Sequence, residues 1–354
     1  MNTFAENTVM SIKDVAKAAR VSHPTVSRAL RNSRLVKPET AERIRRIARE
    51  MGYRPSAVAR SLVTRRTETI GVVVTNISDP FVAGVVAGIE DVANQYGYSV
   101  FLANSNADPE REVKVVQSFH ERRVDGIVVT ASRVGALYVP MLAQMKVPIV
   151  LIDNQHPSEF VHSVMINNIA ASRQATQHLI DLGHRRIAYL GDQFGFQSDT
   201  DRFSGYRQAL QRADLPFLPE LVTHGNGGSD GGSRAMQALL ALKEKPTAVF
   251  CYNDMSALGA VRTIYDHGLR VPEDISLVGF DDLAIASYMF PRLTTIRQPK
   301  EQMGRMAMES LLKILDGTAS RTDIDVEGEL IVRDSSGPPH SVRQEMSTTS
   351  RRGV

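Results

Sequence analysis

Of the 354 residues, one is cysteine and none is tryptophan. A lone thiol, Cys251, excludes a disulfide within the chain and any multi-cysteine zinc site. No uninterrupted apolar run reaches the roughly 20 residues of a membrane-spanning helix, and no charged-then-apolar leader opens the sequence. The expectation is an intracellular protein, cytoplasmic in a bacterium, with no membrane partner. Catalytic signals are equally scarce. His156, His162, His178 and His184 show no metal-ligand spacing, and Cys251 sits in an apolar run where a buried, inert thiol is expected. The glycine-rich stretch "HGNGGSDGGS" (224–233) fails the GxGxxG spacing, because after Gly225 and Gly227 the next required position is Asp230. With no activated nucleophile, metal cluster or phosphate loop, no enzyme is expected and no cofactor is called for.

What is present is ordinary in amount and uneven in placement. The chain is 42% hydrophobic and 23% charged, and long enough for two or three domains. Its net charge of +3 hides an asymmetry: residues 1–66 carry 15 Lys and Arg against 5 Asp and Glu, a net +10 that leaves −7 for residues 67–354. A basic head on an acidic body suggests a polyanion partner for the head.

"SIKDVAKAARVSHPTVSRALRN" specifies how the head would meet that partner. Ile12, Val15, Ala16 and Ala19 share one face of a first helix capped by Ser11, and Val26, Ala29 and Leu30 share one face of a second. Two short helices with matching apolar faces and a tight turn make a helix-turn-helix. "KPETAERIRRIAREMGY" adds a third helix, started by Pro38 and stopped by Gly52, whose Ile44 and Ile47 close a small core. Ser22 caps the second helix, and Pro24 lies in its first turn, where N–H groups have no intrahelical partner and proline costs little. With the apolar face turned in, His23, Pro24, Ser27, Arg28 and Arg31 point out. In a major groove His23, Pro24 and Arg28 would face base edges, with Thr25 and Ser27 near phosphates.

"DVAKAARVSHPTVSRALRN", "VKPETAERI" and "MGYRPSAVARSL" together resemble the DNA-binding head of the LacI family of bacterial transcriptional regulators, and family-like stretches continue to about Arg333. One departure is Arg20 at the turn position often held by glycine, which implies a non-glycine residue pushed towards positive φ at about 1 kcal/mol. The resemblance makes "RPSAVARSLVT" (54–64) a hinge helix that folds on DNA, with Leu62 as the minor-groove wedge and Ala59 as a close contact. Taken alone, the stretch is a linker too short to be helical by itself.

Beyond Glu68, short apolar runs ("IGVVVTN", "SVFLANS", "GIVVTAS", "PIVLIDN", "SVMINN", "RIAYLGD", "AVFCYND", "SLVGFDD") alternate with amphipathic helical stretches. That pattern predicts an α/β body of doubly wound parallel sheets, about ten strands in two lobes that divide near Asn167. The expected organisation is an N-terminal extension (1–10), a helix-turn-helix domain (11–53), a hinge (54–66), a two-lobed body for effector binding and dimerisation (67–333) and a disordered polar tail (334–354). The resemblance implies a periplasmic-binding-protein-like body whose chain crosses between lobes near Asn167, Gln298 and Asp325.

Doubly wound folds bind ligands past the carboxyl ends of their strands, where this sequence places Asp79, Ser132, Asp153, Arg202, Asn253 and Asp281. The family pattern marks Asp153, Arg202, Asn253 and Asp281 as ligand contacts and Phe81 and Val82 as an apolar wall. Asp79, before Pro80, also reads as a helix N-cap. Asp254 and Asp282 read as loop braces. The 224–233 loop lacks the aromatic ring that some relatives stack on a purine.

Three functions are weighed. An enzyme lacks its signals, and an exported solute-binding protein should carry a leader in place of a basic helix-turn-helix. A ligand-switched regulator uses both ends of the sequence. The expectation is therefore a homodimeric repressor on a pseudo-palindromic double-stranded DNA operator, switched by a sugar or polyol effector, with a purine-type corepressor as the alternative.

Overall fold

The computed structural model describes residues 10–53, 66–132, 147–153, 162–318 and 322–340, with the isolated positions 61, 64, 134 and 145. Ala59 and Leu62 lie outside these residues. Backbone contacts divide the chain into two units, Met1–Thr67 and Glu68–Val354.

The first unit holds three helices, α1 (Ile12–Ala18), α2 (His23–Leu30) and α3 (Pro38–Glu50). Ser11 opens α1 with a reciprocal cap: its hydroxyl accepts from Asp14 N–H, and the Asp14 carboxylate accepts from Ser11 N–H at 2.9 Å. Val15, Ala16, Ala19, Val26, Ala29, Ala41, Ile44 and Ala48 form a core of mostly small side chains, and Ile12, Val21, Leu30 and Ile47 pack around it. Small residues let short helices approach closely, so the turn between α1 and α2 must be sharp. Arg20 makes that turn at φ 51°, as its place in the motif implies.

The second unit contains two sheets of six described strands each. The first runs in the order β11-β5-β4-β3-β1-β2, with β1 (Thr69–Val74), β2 (Ser99–Asn104), β3 (Gly126–Thr130), β4 (Ile149–Ile152), β5 (His162–Ile166) and β11 (Thr322–Val326) all parallel. The second runs β12-β10-β9-β8-β6-β7, with β6 (Ile187–Asp192), β7 (Val222–Gly225), β8 (Ala248–Cys251), β9 (Ser276–Asp281) and β10 (Thr294–Arg297) parallel; β12 (Glu329–Ile331) is the antiparallel edge. Central strands such as β3, β6, β8 and β9 are buried along their whole length, which explains their unbroken apolar runs.

The chain crosses between lobes after β5, after β10 and between β11 and β12. The first and third crossings are tied together, because Asn167 N–H donates to the carbonyl of Val326 at 3.1 Å. The second crossing returns the helix Lys300–Leu315 to the first lobe, where it packs on the helix Pro80–Gln95. Gly88 and Gly304 make that contact: a Cβ on either would collide with the other helix's backbone, so glycine sets the spacing.

The expected disordered tail needs correction. Residues 334–340 are built into the second lobe: Ser335 is fully buried, its hydroxyl donating to the Leu277 carbonyl and accepting from Thr294 N–H. The carbonyl of Gly337 accepts from Ser276 at 2.9 Å and lies 2.9 Å from Nε2 of the buried His184. Short polar side chains saturate the buried backbone here, so a segment with little hydrophobicity still orders.

Candidate effector cleft and nucleic-acid interface

On α2 the sequence separates two faces. Val26 and Ala29 are buried, while Ser22, His23, Pro24, Arg28 and Arg31 are exposed, with Thr25 and Ser27 half-buried. Ser22 caps the helix, accepting from Thr25 N–H at 3.4 Å with the two hydroxyls 2.8 Å apart. Pro24 falls in the first turn. Arg31 donates to the hydroxyl and the carbonyl of Ser27, so those two present one prearranged polar unit. Among the described residues His23 and Arg28 carry no such brace; His23 begins the helix at its positive end, and Arg28 lies in its last turn.

In the body, a cleft of about 490 Å³ opens between the lobes at the carboxyl ends of their strands. Asp79, Phe81, Val82, Asp153, Arg202, Asn253 and Asp281 all line it. Ser132 does not. Its hydroxyl is buried and donates to Glu112 at 2.5 Å, on the far side of the strand end, while Thr130 and Ala131 face the cleft instead. Ala131, just past the end of β3, has φ 44°, so lying past a strand end does not by itself bring Ser132 to the cleft.

Arg202 forms the floor. It is 4% exposed, sandwiched with its guanidinium carbon 3.7 Å from the Phe280 ring centre and 4.7 Å from that of Tyr252. It donates from Nε to Asn168 at 2.9 Å and from Nη1 to the Tyr252 carbonyl at 2.6 Å. Burial works against its charge, but Tyr252, Asp281 and Asp153 outweigh that and raise its pKa. Asp281 faces it from the end of β9 at φ 118°, and Asp153 from the end of β4 at φ 55°. Left-handed backbone at non-glycine residues costs of order 1–3 kcal/mol and gathers at ligand sites. Burial pushes Asp281 well above, and Asp153 above, the usual carboxylate range, and the Arg202 charge opposes both shifts.

Asn253 caps the helix Asp254–Asp266, accepting from Ser256 N–H at 2.8 Å and donating to the Gly227 carbonyl at 2.9 Å. Asp79 likewise caps Pro80–Gln95 through Phe81 N–H at 2.9 Å while facing the cleft. The two loop braces are as the sequence suggests: Asp254 accepts from Thr295 and from Leu283 N–H, and Asp282 pairs with Arg297 and Arg333.

Sequence reasoning leaves out Asp192 and Gln298, which also line the cleft. Asp192 ends β6 and Gln298 directly follows β10; the strand-end rule reaches the first, while β10 has no unbroken apolar run to mark the second. Phe194 and Phe196 meet edge-to-face with centres 6.2 Å apart at one wall, and Tyr252 stands on the same lobe. Gly227, at φ 72°, occupies the loop where a ring is missing.

A basic helix-turn-helix joined in one chain to a two-lobed body with a polar cleft defines a ligand-responsive DNA-binding regulator. The comparisons agree on which. Residues 11–56 match the model for bacterial regulatory proteins of the lacI family, and residues 176–336 match a periplasmic binding protein-like domain. The HTH-type transcriptional repressor PurR of Aliivibrio fischeri is 38% identical over 92% of this chain and 98% of its own. The ribose operon repressor of Haemophilus influenzae is 34% identical over the same shares. Among solved structures, the lac repressor dimer bound to operator and the anti-inducer ONPF superposes with a TM-score of 0.86 at 28% identity, covering 93% of this chain and 99% of that one. The transcriptional regulator CelR–cellobiose complex gives 0.71 at 32%, covering 92% and 100%. The chain belongs to the LacI family: it is a ligand-responsive, DNA-binding transcriptional repressor and not an enzyme.

Proposed function

We propose that the effector is a sugar or polyol and that the protein controls carbohydrate-metabolism genes from the cytoplasm as a homodimer on a pseudo-palindromic operator. One observation carries the effector class. Two carboxylates, an amide and a guanidinium (Asp153, Asp281, Asn253 and Arg202) converge on one cleft beside Phe81. Hydroxyls donate and accept together, so a polyol can use the hydrogen-bonding capacity these groups keep beyond their contacts within the protein, which an apolar ligand cannot. A fully anionic ligand would meet the carboxylates' repulsion. Phe81 offers a flat face to the C–H side of a sugar ring.

A purine-type corepressor is the second reading, favoured by the rings of Phe194, Phe196 and Tyr252 in the same cleft. Gly227 in the loop that could supply a further stacking ring weighs against it. Calorimetric titration of monosaccharides, sugar acids and purines into wild type and Asp281→Ala separates the two. Sugar binding that Asp281→Ala abolishes supports the proposal; tight hypoxanthine or guanine binding with every sugar silent overturns it.

For DNA, His23, Pro24 and Arg28 are the proposed base-edge residues, with Ser22, Thr25, Ser27 and Arg31 at phosphates. Ala59 and Leu62 are proposed as the minor-groove pair. Leu62→Ala should lose operator affinity and bending while the body melts unchanged; an unbent operator in the wild-type complex would count against the wedge. The homodimer is supported by exposed apolar side chains in both lobes. Tyr288 is 84% and Phe290 91% exposed beside Tyr265 and Ile285, and edge strand β2 exposes Phe101 and Leu102. Sedimentation should give a dimer, since residues 334–354 hold no apolar heptads to join two dimers.

A further inference from the structure

The effector-facing charges are tied to the crossings between lobes, and the tie is closest at the second crossing. Gln298, the first residue after β10, is 3% exposed and donates from Nε2 to Oδ1 of Asp281 at 2.5 Å. Two residues on, Lys300 begins the helix that returns to the first lobe. Its ammonium reaches back to the second lobe and donates to the carbonyls of Asp281 at 3.3 Å and Asp282 at 3.0 Å. Its stem lies on the first-lobe helix, so close that a Cβ at Gly84 would come within 2.8 Å of Lys300 Cγ and Cδ.

Lys300 thus bridges the two lobes at the crossing, with its stem on one and its charge on the other. The peptide units it holds are strained ones, Asp281 at φ 118° and Asp282 at φ 48°. A carboxylate-facing ligand would add its own hydrogen bonds to the same Asp281 that Gln298 holds. We propose that Gln298 and Lys300 form an interlobe latch: they are positioning residues that set the angle between the lobes and pass effector occupancy at Asp281 to it. The proposal rests on the reading of the cleft as an effector site whose closure governs DNA binding. Lys300 supplies the reach between the lobes, and Gln298 supplies the contact with the ligand-facing carboxylate.

The test needs no effector. Spin labels on Glu121→Cys and Gln237→Cys, one exposed position in each lobe, report the interlobe distance by electron–electron resonance. The native Cys251 is buried and stays unlabelled. Labelled protein is exchanged into excess unlabelled protein so that each assembly carries one labelled chain. Lys300→Met keeps the stem on Gly84 and removes the donor, while Lys300→Arg keeps a donor, and Gln298→Met removes the amide. The expected result is a distance distribution that broadens and shifts in both methionine variants and returns towards wild type in Lys300→Arg, with at least a fivefold change in operator affinity. Superimposable distributions in all variants overturn the latch, and so does equal broadening in Lys300→Arg, which would mark a packing role alone. A shifted distance with unchanged operator affinity would leave the latch standing and overturn the reading that lobe angle governs DNA binding.

Discussion

In the head, His23, Pro24, Arg28 and Arg31 stand exposed on one face of a helix whose other face is core. In the cleft of the body, Arg202 and Asp281 are each 4% exposed and Asn253 is 7%, and all three are hydrogen-bonded to the protein itself. The first arrangement leaves the reading face of the head nearly independent of the fold that carries it. The second makes ligand contact and fold stability one network, in which removing a side chain strands its partners. Substitution at the head should therefore change specificity at little structural cost, while substitution in the cleft should change both properties together.

Arg202→Ala is the strongest test of that contrast. It removes the donor to Asn168 and the Tyr252 carbonyl and takes from both Asp153 and Asp281 the cation that favours their charged forms. Charged hydrogen bonds contribute about 1.5–3 kcal/mol each. Effector affinity should fall by about two orders of magnitude or more, and calorimetry and thermal melting should show binding and stability falling together. Retained binding with a lowered melting point would mean that Arg202 braces the floor without touching the ligand.

Asp254 provides the next largest effect, this time through pH. Burial pushes its carboxyl up to about 7, against hydrogen bonds from Thr295 and Leu283 that favour the charged form. The folded state then holds the proton more tightly than the unfolded chain does. The contribution to stability is complete below the ordinary value of 3.8 and is lost as pH rises through about 7. The slope reaches at most about 1.4 kcal/mol per pH unit in that window. Asp254→Asn keeps an acceptor for Leu283 N–H and removes the titration. Between pH 5 and 8 the wild-type body should lose more thermal stability than the variant, and parallel curves would exclude Asp254 as the source.

The exposed side of the comparison predicts a smaller and cleaner change. Arg28→Ala should cost about 1–3 kcal/mol per half-site and relax preference at one base pair, with the melting curve unmoved. Equal weakening on specific and random DNA, measured at several salt concentrations, would make Arg28 a phosphate contact only.

The same divide decides how much was legible in the sequence. The head was legible almost whole, because an exposed face is simply what remains when Val26, Ala29 and Leu30 turn inward. Central strands were legible from apolar runs, but β7, β10, β11 and β12 are short or polar and gave no such run. In the cleft, strand ends point to Asp153 and Asp281, but position past a strand end does not tell that Ser132 is held by Glu112 while Thr130 and Ala131 line the cleft. Gln298 is legible as a crossing between lobes, but its bond to Asp281, a partner 17 residues away, is not. The ordered segment at 334–340 was missed for a related reason. Composition counts hydrophobicity, and Ser335 and Gly337 are held by backbone hydrogen bonds.

The smallest predicted effect lies within the head. Arg20 turns the chain between α1 and α2 at φ 51°, a conformation that costs an L-residue about 1–2 kcal/mol and glycine almost nothing. Glycine also makes the unfolded chain more flexible, which offsets about 0.4–1 kcal/mol of that gain. Arg20→Gly should therefore stabilise the head by at most about 1.6 kcal/mol. Amides on either side of the turn report it: Ala19 and Val21 N–H, which donate to Val15 and Ala16, should exchange more slowly in the variant. The body contains none of this backbone, so its exchange should not change. Faster exchange in the variant's head would show that the Arg20 side chain contributes more to the turn than its backbone strain costs, and the head would then share the coupling of side chain to fold found in the cleft.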